Sequence, residues 1–160
     1  MYQFDIAGGS KADLYRDLIA AADALTGDEP DAVANMANVA ALLWEYLPDV
    51  NWTGFYRLVG GELVLGPFQG KVACIRIAVG AGVCGAAAAS RATQLVEDVH
   101  SFAGHIACDA ASRSELVVPI VSAGALIGVL DLDSPIVARF DAEDAAGCEA
   151  LVALIADRVS

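Results

Sequence analysis

The chain has 160 residues, 57% of them hydrophobic and 19% charged, which excludes a disordered or fibrous polypeptide and suits one domain able to bury roughly 68–70% of its unfolded surface. Nine lysines and arginines against 21 acids leave a net charge of −12, so neither nucleic acid nor an anionic membrane surface is an expected partner. The longest apolar stretch, residues 79–89, is broken by glycines and falls short of the roughly 20 residues of a membrane span. The first five residues carry neither the basic nor the apolar region of a secretory signal, so the expectation is a single domain over residues 1–160 in the cytoplasm, with its four cysteines reduced at rest.

Leu14, Leu18, Ala21 and Leu25 share one helical face and predict a helix over 11–25. Residues 27–30 break it, and Pro30 suits the first turn of a second helix. There Met36, Ala37, Ala40, Leu43, Trp44 and Leu47 form an apolar stripe, ending before Pro48. The period then shortens. An aromatic-rich strand is expected over 51–58, turning at Gly60-Gly61 into a second over 62–65. Short strands follow at 74–77 and 93–96, separated by an Ala-rich helix over 83–91. The apolar runs 116–121 and 125–132 read as a hairpin joined by Ser122-Ala123-Gly124, and a last helix runs from a cap at 140–143 to Val159. Helices packed on an antiparallel sheet make an α+β sandwich. Residues 97–114 form an 18-residue connection; structureless connections beyond about 12–15 residues are usually functional.

Cys148 aligns with Leu151, Val152, Ile155 and Val159 and reads as core. Cys108 instead sits among polar residues in the long connection, where Arg113 or a protonated His105 would favour its thiolate; taken alone it reads equally well as an incidental loop thiol. Cys74 and Cys84 change that balance, because an oxidised cysteine needs a second thiol to resolve it. Strand alternation puts Asp131 and Asp133 side by side on one face, so their repulsion raises one of them toward a proton-donating role; a solvated strand end is the plainer reading. A zinc site is not written here: among His100, His105, Cys74, Cys84 and Cys108, only His105-x-x-Cys108 has ligand spacing.

Six blocks carry a family resemblance: Asn51-Trp52-Thr53-Gly54-Phe55-Tyr56, Leu65-Gly66-Pro67-Phe68-Gln69-Gly70, Gly82-Val83-Cys84-Gly85, Val96-Glu97-Asp98-Val99-His100, Gly104-His105-Ile106-Ala107-Cys108-Asp109 and Gly128-Val129-Leu130-Asp131-Leu132-Asp133-Ser134. In this order they resemble the free methionine-(R)-sulfoxide reductases, stand-alone GAF-domain enzymes. The resemblance implies the GAF fold, an antiparallel sheet of about six strands with helices on both faces. It also implies thiol-dependent reduction of free L-methionine-(R)-sulfoxide to L-methionine. It assigns the nucleophile to Cys108 and the other redox cysteines to Cys74 and Cys84, either of which would resolve the sulfenic acid to a disulfide. Glu115, Asp131 and Asp133 become the acids that hold substrate and donate a proton, with Trp52 and Tyr56 as an aromatic wall. Amides around Ile106 and Ala107 would receive the substrate carboxylate. Thioredoxin is the implied reductant, and no metal or organic cofactor is called for. The first two helices are candidates for a homodimer interface. A non-catalytic GAF sensor would need no such set of thiols and acids, and a redox switch would need the thiols but not the acids.

Overall fold

Ser10 starts the first helix. Its hydroxyl accepts from the Asp13 amide while the Asp13 carboxylate accepts from the Ser10 amide, a reciprocal cap that satisfies two otherwise orphaned donors and begins α1 (Lys11–Thr26). The computed structural model describes residues 9–104 and 110–160; the expectations placed on His105, Ile106, Ala107 and Cys108 lie outside the described residues. α2 (Ala32–Tyr46) is capped by Asp31, whose carboxylate accepts from the Ala34 amide at 2.8 Å. Pro30 therefore precedes the cap and does not sit in the first turn, because the acceptor oxygen that the orphan amides need comes from Asp31. Trp44, expected on the buried stripe, is 42% exposed. Leu43 and Tyr46 fill the stripe, and Trp44 lies one position round the helix from Leu43.

Six strands follow: β1 (Trp52–Val59), β2 (Glu62–Gly70), β3 (Arg76–Ala78), β4 (Gln94–Val96), β5 (Ser114–Ser122) and β6 (Ala125–Ser134). They form one antiparallel sheet in the order β3-β2-β1-β6-β5-β4. α3 (Gly82–Ser90) lies between β3 and β4, and α4 (Ala142–Ile155) closes the fold behind a second reciprocal cap, Asp141 with Asp144. Two expected boundaries move. β2 runs on to Gly70, and the third strand begins at Arg76, leaving Cys74 in the preceding loop.

The sheet separates two apolar layers. On one face Phe55, Leu116, Val118, Leu130 and Leu132 pack against α1, α2 and α4 through Leu18, Leu43 and Leu151. On the other, Trp52, Tyr56, Val117 and Val129 pack against α3. The two-residue period of β1, β5 and β6 sorts alternate side chains into these layers, so helices do cover both faces. Cys148 is buried in the first layer, as its helical alignment predicts.

The helical layer is locked by a buried charge cluster. Asp144 accepts from Tyr15 Oη at 2.8 Å, Lys11 Nζ at 2.8 Å and Arg139 Nη1 at 3.3 Å, joining α1 to the start of α4. Among the described residues, no helix is long and apolar enough to cross a membrane.

Candidate active site

The register of three central strands assembles an acidic floor. Asp133 on β6 lies directly opposite Glu115 on β5 and opposite Trp52 on β1, while Asp131 lies opposite Gly54. All of these share the face turned toward α3, as alternation requires. Gly54 is needed here: a Cβ would collide with Phe68 and Trp52, so the glycine lets the aromatic side chains close over the strand next to Asp131. Trp52 stacks on Phe68 with centroids 5.1 Å apart and on Tyr56 at 5.8 Å, forming a continuous aromatic wall.

Trp52, Tyr56, Cys84, Glu115, Asp131 and Asp133 all line one cleft, which encloses about 530 Å³, part of it continuous with solvent. These six residues, spread over 82 positions of sequence, are the described members of the expected site other than Cys74. Cys74 lies at the edge, in the loop whose Val72 and Ala73 line the cleft. Two aromatic side chains tether that loop: Tyr56 Oη donates to the Cys74 carbonyl at 3.0 Å and Trp52 Nε1 to the Lys71 carbonyl at 3.1 Å. Cys74 is disulfide-bonded, whereas Cys84 and Cys148 are free and buried.

The acids are not the solvated strand end that the sequence also allows. Glu115 is 7% exposed and Asp131 5%. Loss of hydration penalises their ionised forms. Burial raises Asp131 to about 7 and Glu115 well above the ordinary carboxylate range, where the charges of Asp131 and Asp133 push it further. The pair thus keeps a proton near neutral pH. Cys84 Sγ contacts Glu115 Oε1 at 3.8 Å, and burial, with the charges of Asp131 and Glu115, pushes its thiol upward, away from thiolate. Burial and the neighbouring acids raise the Tyr56 phenol too, so it remains a neutral donor. An arrangement of a protonated carboxyl, a second carboxylate and an aromatic wall can donate a proton to an acceptor oxygen and hold a cation.

Phe68, which backs Trp52, and Ser112, buried in the cleft lining and contacted by Asn51 Nδ2 at 3.3 Å, were not among the expected residues. Phe68 meets Gly54 across the first hairpin only because the register shifts between Gly54 and Tyr56, which the turn residues do not reveal. Nothing in the residues around Ser112 pointed to the cleft. His100 bonds to Asp98: its amide and Nδ1 both meet Asp98 Oδ1 at 3.1 Å.

A GAF-domain model matches residues 30–160. The chain is 54% identical over 144 residues to the free methionine-R-sulfoxide reductase of Escherichia coli K12, covering 90% of this chain and 87% of that one. It is 42% identical over 154 residues to the Saccharomyces cerevisiae free methionine-R-sulfoxide reductase, covering 91% and 86%. Its structure is similar to that of the Neisseria meningitidis free methionine-R-sulfoxide reductase in complex with its substrate, with a TM-score of 0.96 at 45% identity over 99% of this chain and 96% of that one. Sequence identity and a fold shared at that level, over nearly the full length of both chains, place the protein: it belongs to the GAF-domain family and, within it, to the free methionine-R-sulfoxide reductases.

Proposed function

We propose that the protein reduces free L-methionine-(R)-sulfoxide to L-methionine through cysteine chemistry in the cleft. The observation that carries this reading is the buried Glu115–Asp131 pair facing the Trp52–Tyr56 wall. A sulfoxide sulfur becomes electrophilic when its oxygen is protonated, and a carboxyl that keeps its proton at neutral pH supplies this. Glu115, whose proton is held by burial and by the charges of Asp131 and Asp133, is the general acid. Asp131 and Asp133 hold the substrate ammonium, and the aromatic wall receives the methyl end.

In the first step the Cys108 thiolate bonds to the sulfoxide sulfur while Glu115 protonates the oxygen, the S–O bond breaks and that oxygen leaves as water. A water oxygen then attacks the Cys108 sulfur, breaking the new S–S bond and returning a proton to Glu115. Methionine leaves, and Cys108 ends as a sulfenic acid. A resolving thiol then displaces hydroxide from that sulfenic acid, giving a disulfide and water. Cys74 is the better resolver than Cys84. It is the cysteine found oxidised, in a loop beside the cleft, whereas Cys84 is a free buried thiol held away from thiolate. A thioredoxin dithiol returns both cysteines to thiols and leaves as its own disulfide. A reducing cytosol supplies such a partner. In net terms one sulfoxide and one dithiol give methionine, water and a disulfide.

Free substrate is distinguished from a peptide by its ammonium, for which the acids form a cation site. The test is methionine release with a thioredoxin system from the free R epimer, the free S epimer and an oxidised peptide in parallel. The reading expects release from the free R epimer alone. Comparable turnover of the peptide contradicts the ammonium site, and no release from any of the three contradicts the reductase assignment.

A further inference from the structure

Cys84 has no step in the proposed reaction, yet it is buried between two acids. α3, β5 and β6 bring Cys84, Glu115 and Asp131 together so that one ligand atom from each lies within 4.8 Å of the others, all three side chains buried. The Cys84 Sγ to Glu115 Oε1 separation is 3.8 Å. A tetrahedral zinc-type ion with metal–sulfur and metal–oxygen bonds of about 2.3 and 2.0 Å holds such atoms about 3.5 Å apart, so the Cys84–Glu115 pair needs to close by only a few tenths of an ångström. A separate observation points the same way. Asp131 Oδ1 is buried without a hydrogen-bond partner among the described residues, although buried carboxylate oxygens normally have a donor or a cation.

We propose that Cys84, Glu115 and Asp131 bind a divalent cation of the zinc class, with the remaining coordination position turned to the cleft that all three line. The donor set decides the class. A sulfur with two carboxylate oxygens selects zinc or cobalt and disfavours magnesium and calcium, which take oxygen ligands alone. Three protein ligands with one open position is also the count of a site that admits water or a small ligand. The site uses neither Cys74 nor Cys108, but it shares Glu115 and Asp131 with the reductase reading. If that reading holds, the cation occupies space assigned to the substrate ammonium and competes with it.

The test is cobalt(II) titration of the full chain with its Cys74 disulfide intact, which removes that disulfide's sulfurs as competing ligands. One equivalent should bind with a thiolate-to-cobalt charge-transfer band in the near ultraviolet, displaced by zinc and unaffected by magnesium. Cys84→Ala should lose the band, and Cys148→Ala should keep it. Glu115→Gln should weaken cobalt binding about tenfold or more with its melting temperature at or above that of the parent, which separates lost ligation from lost folding. Absence of a thiolate band, or a band that survives in Cys84→Ala, overturns the proposal. Because cobalt binding is read without turnover, a protein inactive on the sulfoxide leaves this result intact.

Discussion

The Tyr56 hydroxyl donates a hydrogen bond to the Cys74 carbonyl at 3.0 Å, so the aromatic wall of the cleft is tied directly to the loop bearing the oxidised cysteine. Trp52 ties the same loop three residues earlier, at Lys71. The stacking of Trp52 between Tyr56 and Phe68 therefore positions backbone as well as shaping the cleft.

Tyr56→Phe keeps the ring and removes that donor. The expected cost is about 1 kcal/mol, a fall of about 2–4 °C in melting temperature for a chain of this size. Disulfide formation after substrate addition should slow more than methionine release in a first turnover, since the loop holding Cys74 is loosened while the acids are untouched. Equal slowing of both steps would place Tyr56 in the reduction step instead.

Glu115→Gln should slow turnover by about 10²–10⁴-fold if Glu115 is the general acid. It should also stabilise the protein at neutral pH, and the sign follows from linkage. A carboxyl whose folded pKa is raised keeps its proton in the folded state after the unfolded chain has lost its own. Its stability contribution is full below the unfolded value and is lost as pH rises through the folded one. For Glu115 and Asp131 this loss begins near the ordinary carboxylate range and, for Asp131, runs to about 7. Glutamine mimics the protonated form, so the variant's melting temperature should exceed the parent's near pH 8 and converge with it near pH 4. A variant less stable at both pH values contradicts the buried-proton account.

Asp144→Ala removes the acceptor shared by Tyr15, Lys11 and Arg139. It strands the Arg139 guanidinium and the Tyr15 phenol at the α1–α4 contact while Lys11 keeps Asp141, and the expected loss is about 3 kcal/mol, measurable by urea unfolding. Methionine release at a temperature where the variant stays folded should be unchanged, because the cluster lies on the far face of the sheet from the cleft.

Cys84 and Cys148 should both resist alkylation in the native protein near about pH 8 and both react after denaturation. Burial pushes the Cys148 thiol up to about 12 and that of Cys84 upward as well. Mass mapping of modified peptides reads this directly. Rapid native labelling of Cys84 would show a thiolate that its surroundings should not permit.

Much of this was legible from local pattern. The cap region at 140–143, the change from helical to strand period at Asn51, and the same-face placement of Asp131 and Asp133 follow from spacing alone. What spacing cannot give is register. That Glu115 faces Asp133, and that Asp131 lies over Gly54, depends on how three strands slide against each other, and the resulting burial converts a plausible solvated strand end into a proton-holding pair. The position of Cys74 was misread for a related reason: apolar Ile75 and Ile77 imitate a strand from 74 onward, but the two aromatic tethers hold the backbone at Lys71 and Cys74, and pairing with β2 begins only at Arg76. Trp44 shows the limit of hydrophobicity as a guide to burial, since a helix face can be filled before every large apolar residue is used.

The most direct test of the central claim is a thiol count. The fully reduced chain, with four cysteines, is given free L-methionine-(R)-sulfoxide without any other reductant, denatured and titrated, and its disulfide is mapped. The account predicts loss of two thiols per methionine released, a bond between Cys74 and Cys108, a free Cys84, and no loss with the S epimer. Four thiols remaining after the R epimer, or a disulfide that includes Cys84, would contradict it.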